Sequence, residues 1–359
     1  MSRTWPCKAT GIYRRPVFHA LCEAEQIEIL LVNARHVKNV PGRKTDAKDA
    51  EWRAQLCECG LLRGSFIPPK EIAAIRELTR YRKKLIESRT SELQRLGTVC
   101  EDGGIKIDSV ASRLTTVSAR DMIEALIAGE RDPKALAELA RGTMRTKIPD
   151  LTLALAGRFA DHHALLARRH LTHIDHLSAM IAQLDTRIEE VTAPFGPQMA
   201  LLGTIPGIGE RAAQVIIFEI GVDTSRFPTP AHLACWAGLC PGNHESAGKH
   251  RSGRARKGNR EVREILTECA WAAGRTGTYV GARFRRLHRR FGKNGGTKTA
   301  FATAHTLIEI IWHVLNDAVA YRDLGADYFT RHDDPEAAKM RLIRQLNNLG
   351  YQVSIQPAA

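Results

Sequence analysis

The hydrophobic positions near the amino end change from a strand-like to a helical pattern. Ile27–Val32 is a short apolar run rich in β-branched residues, which is typical of a buried strand. A helix is predicted to begin at Thr45, whose hydroxyl suits an N-cap, and to end at Gly60. Ser65–Ile67 indicates a strand end before two prolines, and residues 70–96 carry apolar positions at the spacing of one long helix. One strand and two helices do not complete a sheet domain.

The middle of the chain is predicted to be helical and contains a heptad repeat. Pro194 and Pro197 end this repeat. Two arrangements satisfy the pattern: a helical hairpin that packs within one chain, and a seam between two subunits. The a and d positions, all within residues 164–191, are Ile174, Leu177, Ile181, Leu184, Ile188 and Val191.

The charge of the chain indicates a polyanionic partner. It has 359 residues, with 53 Lys and Arg against 39 Asp and Glu, and its formal net charge is +14. This excess favours nucleic acid, with an anionic membrane surface as the weaker alternative. No apolar window reaches the length of a spanning helix, and the first residues lack the pattern of a secretory signal. Eight cysteines without a zinc-ligand gap are typical of reduced thiols, so the predicted location is cytoplasmic.

Residues 202–209 are predicted to form the turn of a helix-hairpin-helix, with its second helix over Glu210–Ile220. Pro206, Gly207 and Gly209 would let backbone N–H groups approach a DNA phosphate beside the positive end of that helix. The alternative is an ordinary turn between two helices. The positive charge of the chain favours contact with DNA.

Two carboxylates stand at the start of the first predicted helix. Asp46 and Asp49 are three residues apart, so they share one helix face and would suit a divalent metal ion that activates a phosphodiester. The alternative is a pair of acidic residues favoured in a first turn by the helix dipole. The basic segment 38–44 before them partly offsets this alternative and favours a metal site.

Residues 239–260 form a glycine-rich basic loop that contains two serines. A serine hydroxyl beside cations suits nucleophilic attack on a phosphodiester, because the cations offset the developing negative charge. The alternative is a solvated loop that grips phosphate and carries an incidental hydroxyl. The candidate DNA-binding cations are Lys249, Arg251, Arg254, Arg256 and Lys257.

Two further clusters carry candidate chemistry. Arg285, Arg286 and Arg289 fall on a predicted amphipathic helix, and a phosphate-binding face is favoured there over a membrane face. A group of histidines offers metal ligation, but a solvated flank of the coiled coil is favoured, because no carboxylate or thiol completes a site at convincing spacing. These histidines are His162, His163, His170, His173 and His176.

Together these residues resemble the insertion-sequence transposases that join a RuvC-like domain with four acidic residues, the DEDD set, to a serine-bearing transposase domain. The most specific matches are Lys-Thr-Asp-Ala-Lys-Asp-Ala at 44–50 and Ser-Ala-Gly-Lys at 246–249. Members of this family act with a structured non-coding RNA, called a bridge RNA. The matching phrases span nearly the whole chain and are residues 8–17, 30–50, 202–209, 236–243, 245–249 and 321–329.

The resemblance implies roles for three residues. Ser246 corresponds to the serine nucleophile, which forms a covalent phosphoserine link to DNA. Asp46 and Asp49 correspond to the third and fourth acidic residues, which are Mg²⁺ ligands. The implied partners are double-stranded DNA, the non-coding RNA and a second copy of the chain. That copy would be joined through the coiled coil, so that halves of different subunits form composite sites.

The sequence departs from the family pattern at its amino end. The first acidic residue belongs to a Gly-Ile-Asp type of phrase that is absent here, and Lys8 occupies the position of the second. The interpretation is a shortened or degenerate copy, or a start codon assigned too late. Two functions therefore stay open: an RNA-guided DNA transposase, and a catalytically inactive truncated remnant that binds DNA or RNA and oligomerises.

The predicted fold class is α/β plus mainly α. Residues 1–100 are expected to form an incomplete RuvC-like domain of the RNase H type. A helical region, 101–197, contains the coiled coil at 164–191. The transposase domain with the helix-hairpin-helix and the serine occupies 198–330, and residues 331–359 form a tail with a polar helix.

Overall fold

Helices make up most of the protein, and two long ones run side by side through its middle. The computed structural model describes residues 3–8, 16, 20–21, 27–32, 46–62, 64, 67, 70–242, 245–246, 248–250, 255, 257–332 and 335–354. The strands are β1 (Arg3–Lys8), β2 (Ile27–Val32), β3 (Glu245–Ser246) and β4 (Lys249–His250). The described α-helices are α1 (Asp46–Glu58), α2 (Lys70–Asp102), α3 (Val117–Ala128), α4 (Pro133–Glu138), α5 (Ile148–Ala154), α6 (Asp161–Thr192), α7 (Gly196–Gly203), α8 (Glu210–Ile220), α9 (Pro230–Ala237), α10 (Arg260–Gly274), α11 (Tyr279–Phe291), α12 (Gly296–Asp317), α13 (Tyr328–His332) and α14 (Pro335–Asn348).

A two-stranded parallel sheet begins the chain. β1 pairs with β2 in a register that runs from Arg3 opposite Ile27 to Lys8 opposite Val32, and α1 packs against β1. The predicted strand at 27–32 and the predicted helix before Gly60 are confirmed. Sequence reasoning missed β1, because its polar residues and a proline give no strand pattern. The RuvC-like character of this unit stays a prediction.

Residues 61–69 only partly match the expected strand end. Gly64 forms an isolated antiparallel bridge with Val32, so the chain does return to the edge of β2. Ser65 and Phe66, which the prediction included, lie outside the described residues. The following helix α2 begins at Lys70 as expected but continues to Asp102, nearly two turns beyond the predicted end at residue 96.

The heptad repeat lies on α6, and α2 covers it within the same chain. The two helices run antiparallel: Arg82 near the start of α2 pairs with Asp185 near the end of α6. Leu85 of α2 is buried together with Leu177 and Ile181 of α6. The structure therefore has the intrachain hairpin, one of the two arrangements that the sequence allowed.

A small helical unit fills the connection between these long helices. It contains α3, α4 and α5, and it packs its apolar side chains against the far ends of α2 and α6. Thr116 caps α3, since its Oγ1 accepts the N–H of Ala119 at 3.4 Å, and Asp132 caps α4 just before Pro133. This unit thus joins the end of α2 to the start of α6, on the side of the hairpin opposite to the carboxyl-terminal helices.

The carboxyl-terminal helices α7 to α12 enclose the largest apolar core. α12 packs on α7, α9, α10 and α11, and its buried face includes Leu307, Ile308 and Ile311. Ile72 and Ile75 from the first turns of α2 belong to the same core. Helix α2 is thus a structural part of both helical units. No helix in the described part of the chain combines the length and the hydrophobicity needed to cross a bilayer.

Candidate nucleic-acid interface and serine loop

The serine loop, defined as residues 239–258, leaves the helical core between α9 and α10 through a narrow neck. The N–H of Asn259 donates to the carbonyl oxygen of Trp236, with 3.1 Å between nitrogen and oxygen. Further along, Pro241 and Ala255 form an isolated antiparallel bridge. Both ends of the loop are therefore held together by backbone contacts.

Close backbone packing makes the neck narrower still. A Cβ atom on Gly258 would lie 2.2 Å from the backbone nitrogen of Gly238, well inside any van der Waals contact. Only glycine lets the outgoing and returning strands of the loop approach this closely. The sequence showed many glycines in this region but not which of them closes the neck.

Ser246 lies in a short hairpin within this loop. β3 and β4 pair antiparallel, with Glu245 opposite His250 and Ser246 opposite Lys249. Residues that stand opposite each other in an antiparallel pair occupy the same face of the ladder. The fold thus places a lysine at the position paired with the candidate serine.

The remaining predicted cations of the loop divide into two groups. Lys257 is exposed beside the neck. Arg251, Arg254 and Arg256 lie outside the described residues, and the DNA-binding role of all these cations stays a prediction.

The structure places the candidate aspartates at the start of α1. Asp46 is its first residue and Asp49 stands in its first turn, as predicted. The adjacent strand β1 contains no Asp or Glu and ends in Lys8. The two aspartates supply only part of the carboxylate set that the resemblance implies for Mg²⁺. The described residues therefore do not complete a magnesium site.

The two glycines of the predicted helix-hairpin-helix have different surroundings. Gly207 has a φ of +86°, and a Cβ atom there would lie 2.4 Å from the carbonyl oxygen of Cys269 and 2.7 Å from the backbone nitrogen of Ala273 on α10. Gly209 is exposed at the start of α8 with open space around its Cα atom, and Pro206 is half-buried. A turn joins α7 to α8 as predicted, with Gly207 packed against α10 and Gly209 open to solvent. The helix-hairpin-helix character of this turn and its contact with DNA stay predictions.

Helix α11 carries the predicted arginines on an exposed face. Nη1 of Arg285 donates to the carbonyl oxygen of Thr276 at 2.8 Å. The guanidinium of Arg286 lies 4.9 Å from the ring centre of Phe329, which is a cation–π contact. Arg289 is exposed one turn further along. The contacts of the first two arginines hold their charges in place on the surface.

The segment 321–329 anchors the start of α11. In the sequence it was noted only because it matches a phrase of the family. Oδ1 of Asp323 accepts the N–H of Tyr279, the first residue of α11, at 3.0 Å. The ring of Phe329 stacks on Tyr279 with 5.4 Å between ring centres. Sequence reasoning missed this role because cap and helix are 44 residues apart.

Within the described residues, one group of metal-ligand side chains gathers: Asp102, His162 and His163. Nδ1 of His163 accepts the N–H of Ala160 at 3.0 Å, and its Nε2 lies 3.0 Å from Oδ2 of Asp102. Because Nδ1 accepts, Nε2 is assigned the proton and donates to the carboxylate. Both ring nitrogens are thus engaged in capping α6 and joining it to α2.

Two more histidines of α6 contact a carboxylate that the sequence did not pair with them. Glu92 on α2 is buried, and its carboxylate lies 2.7 Å from Nδ1 of His170 and 3.6 Å from Nδ1 of His173. Burial alone would raise the pKa of Glu92, but the hydrogen bond from His170 and the charge of Arg95 lower it. The expectation of a solvated histidine flank is therefore wrong for His163, which is buried, and for His170, which lies in the hairpin interface.

A buried carboxylate joins α2, α8 and the start of α10. Glu219 is 1% exposed in an otherwise apolar turn of α8. Nε and Nη2 of Arg80 donate to its two oxygens at 2.8 and 2.9 Å, and Nε of Arg76 lies at 3.0 Å. Nδ2 of Asn259 donates to the same carboxylate at 2.6 Å. The sequence signal was a single Glu in the run Val215–Ile220, which sequence reasoning did not use.

Two segments of the chain match families of known proteins. Residues 2–101 match the DEDD transposase family of IS110, which is described as a transposase. Residues 199–285 match a second family, described as the transposase IS116/IS110/IS902 family. The first match includes both aspartates, and the second includes the turn at 202–209, the serine loop and Arg285.

Individual relatives match parts of the chain. The protein y4qE of Sinorhizobium fredii is 29% identical over 178 residues, which cover 41% of this chain and 45% of that protein. The 43.6 kDa protein of insertion element IS110 from Streptomyces coelicolor is 31% identical over 144 residues, or 40% and 34% of the two chains. The pilin gene-inverting protein of Moraxella bovis is 40% identical over 77 residues, or 21% and 24%. The matched part spans less than half the length of each relative.

Proposed function

The chain belongs to the IS110 family of transposases, and on this premise we propose that it cuts and rejoins DNA strands with the Ser246 hydroxyl as nucleophile. The observation that carries the proposal is the hairpin of the serine loop. Its neck is closed by backbone packing, and Ser246 stands opposite Lys249 in the ladder. A hairpin whose register sets a serine opposite a lysine suits attack on a phosphate, because a nearby cation offsets the developing negative charge.

The proposed reaction exchanges one phosphate ester for another. Oγ of Ser246 forms a bond to phosphorus and loses its proton, while the bond from phosphorus to one deoxyribose oxygen breaks and that oxygen gains a proton. The product is a phosphoserine link to one DNA end. Attack by a hydroxyl of a second DNA end reverses the step and joins the strands. Because one ester bond replaces another, no external energy source is required.

The proposed DNA surface combines three elements. Arg285, Arg286 and Arg289 on α11 supply exposed positive charge, and Gly209 supplies an open helix start. The serine loop supplies the remaining cations. Contacts of this kind position a duplex without reading its sequence, so target choice would rest on another partner.

A guiding non-coding RNA and a second copy of the chain are part of the proposal. The RNA rests on the family resemblance and on the net charge of +14. For the second copy, the heptad positions Leu177 and Ile181 are already buried against α2. A partner subunit would therefore contact an outer face of the hairpin.

A second candidate function is a nucleic-acid-binding protein without cleavage activity. The observation that favours it is Lys8 at the end of β1, where the resemblance implies an acidic residue. In that case the basic helix and the serine loop would bind DNA or RNA, and the protein would still form oligomers.

Covalent trapping tests the two candidates. The purified protein is incubated with magnesium, a duplex carrying its element end and the adjacent non-coding RNA, and denatured products are then analysed by gel and by peptide mass spectrometry. The first candidate predicts a DNA adduct on the peptide that contains Ser246. Binding of the duplex without an adduct would favour the second candidate, and an adduct on another residue would contradict the nucleophile.

The α11 arginines are expected to bind DNA through its phosphates. Changing Arg285, Arg286 and Arg289 to Gln should weaken binding to all duplex sequences alike. It should also reduce the salt slope by about 2–3, since each phosphate contact contributes about 0.9. The measurement is the dissociation constant between low and moderate salt for two unrelated duplexes.

The matched control changes three exposed arginines of the small helical unit, Arg113, Arg141 and Arg145, to Gln. It removes the same net charge and should leave the salt slope nearly unchanged. An equal effect of both triple variants would mean that α11 has no special place in the interface.

A further inference from the structure

We infer that Glu219 is a positioning residue for the serine loop: its carboxylate fixes the neck of that loop to helix α2. This inference rests on the proposed function, because it concerns the placement of the proposed nucleophile. It is carried by the buried contacts that Glu219 makes with two different parts of the chain.

The first set of contacts comes from α2. Arg80 binds both carboxylate oxygens of Glu219 in a bidentate pair, at 2.8 and 2.9 Å, and Arg76 adds a contact at 3.0 Å. Nε of Arg76 also donates to the carbonyl oxygen of Phe218 at 3.2 Å. Bidentate guanidinium–carboxylate pairs fix orientation as well as distance. The position of α8 on α2 is therefore set by these side chains.

The second contact comes from the neck of the serine loop. Asn259, the residue directly after the loop, donates from Nδ2 to Glu219 at 2.6 Å. Its Oδ1 accepts the N–H of Val262 at 3.1 Å and caps α10, and its own N–H closes the neck on Trp236. One side chain thus joins the end of the loop, the start of α10 and the buried carboxylate.

Charge explains why this position carries a glutamate. Glu219 is 1% exposed, and a carboxylate is costly to bury unless cations and hydrogen bonds compensate it. An apolar residue here would leave Arg76, Arg80 and Nδ2 of Asn259 without this acceptor. The network therefore specifies how α2, which follows α1 in the chain, is held against the loop that carries Ser246.

The test compares three variants by two readouts. Glu219→Gln keeps the shape and removes the charge. Asn259→Ser keeps an N-cap for α10 but removes the donor to Glu219. It therefore tests the same network if Glu219→Gln folds poorly. Asp185→Asn is the control, since it breaks ion pairs with Arg82 on α2 and Arg211 on α8 that touch neither Glu219 nor the loop. The readouts are hydrogen exchange of the peptide 239–258 and the rate of adduct formation at Ser246, with DNA affinity measured in parallel.

We expect Glu219→Gln and Asn259→Ser to speed exchange of the serine loop at least about tenfold and to slow adduct formation about 10- to 100-fold. DNA affinity should change less than about threefold, and Asp185→Asn should leave the loop and the rate unchanged. Loop exchange that stays at the wild-type rate in both network variants would overturn the inference, whatever the activity. Absence of any adduct in the wild-type protein would instead count against the proposed function, and the exchange data would still decide the positioning role.

Discussion

Replacing Ser246 by alanine is expected to abolish strand cleavage while duplex binding changes by less than about threefold. The variant removes one oxygen, which in the proposed reaction forms the bond to phosphorus, so the rate should fall at least about a thousandfold. Binding should persist because phosphate contacts from arginines and backbone N–H groups supply most of the affinity. The measurement is a cleavage assay and a gel shift on the same labelled duplex.

A second serine in the same loop provides the matched control. Ser252→Ala makes the same chemical change six positions later and should leave cleavage within a few-fold of wild type. An equal loss of cleavage and binding in Ser246→Ala would contradict the nucleophile assignment. Loss of cleavage in Ser252→Ala alone would transfer the role to that serine.

Gly207→Ala is expected to destabilise the protein by about 2–4 kcal/mol. The added Cβ atom would lie 2.4 Å from the carbonyl oxygen of Cys269, and φ at this position is +86°, where alanine is strained. Neither the turn nor α10 can move away without opening the core beneath α8. Chemical denaturation of both proteins would give the difference in free energy of unfolding.

Gly209→Ala tests the other glycine of the same turn. Nothing lies within 4 Å of a Cβ atom there, so the loss of stability should stay below about 1 kcal/mol. If the N–H groups at the start of α8 contact phosphate, Gly209→Ala should reduce the free energy of duplex binding by more than it reduces the free energy of unfolding. If both variants lost the same stability, the close contacts of Gly207 would not be what makes that position sensitive.

Local pattern was sufficient to predict several elements. The β-branched run at 27–32 is a strand, and the heptad at 164–191 lies on one helix, which ends at Thr192, two residues before Pro194. Pro197 instead lies in the first turn of the next helix, α7. Such predictions succeed because periodicity, caps and prolines act over a few residues. β1 was missed because a short strand with a proline and no alternation of polar and apolar residues carries little local signal.

Contacts between distant residues explain what the sequence left open. The heptad on α6 specified an apolar stripe but not its partner, and the stripe packs on α2, about a hundred residues earlier. Arg80 and Glu219 are 139 residues apart, so no local pattern could pair them. For the same reason the histidines of α6 gave no sign of the buried Glu92 that faces His170.

The sequence by itself indicated the resemblance to transposases, the candidate residues Ser246, Asp46 and Asp49, and the helical character of most of the chain, because motifs and periodicity are properties of adjacent residues. Only the tertiary structure decided that the heptad is covered within one chain, that Gly207 packs inside while Gly209 stays open, and that the neck of the serine loop closes on Gly258 and Glu219. These features depend on which surfaces meet when the chain folds. Burial and close backbone approach arise only at that stage, between residues whose separation in sequence carries no information about their contact.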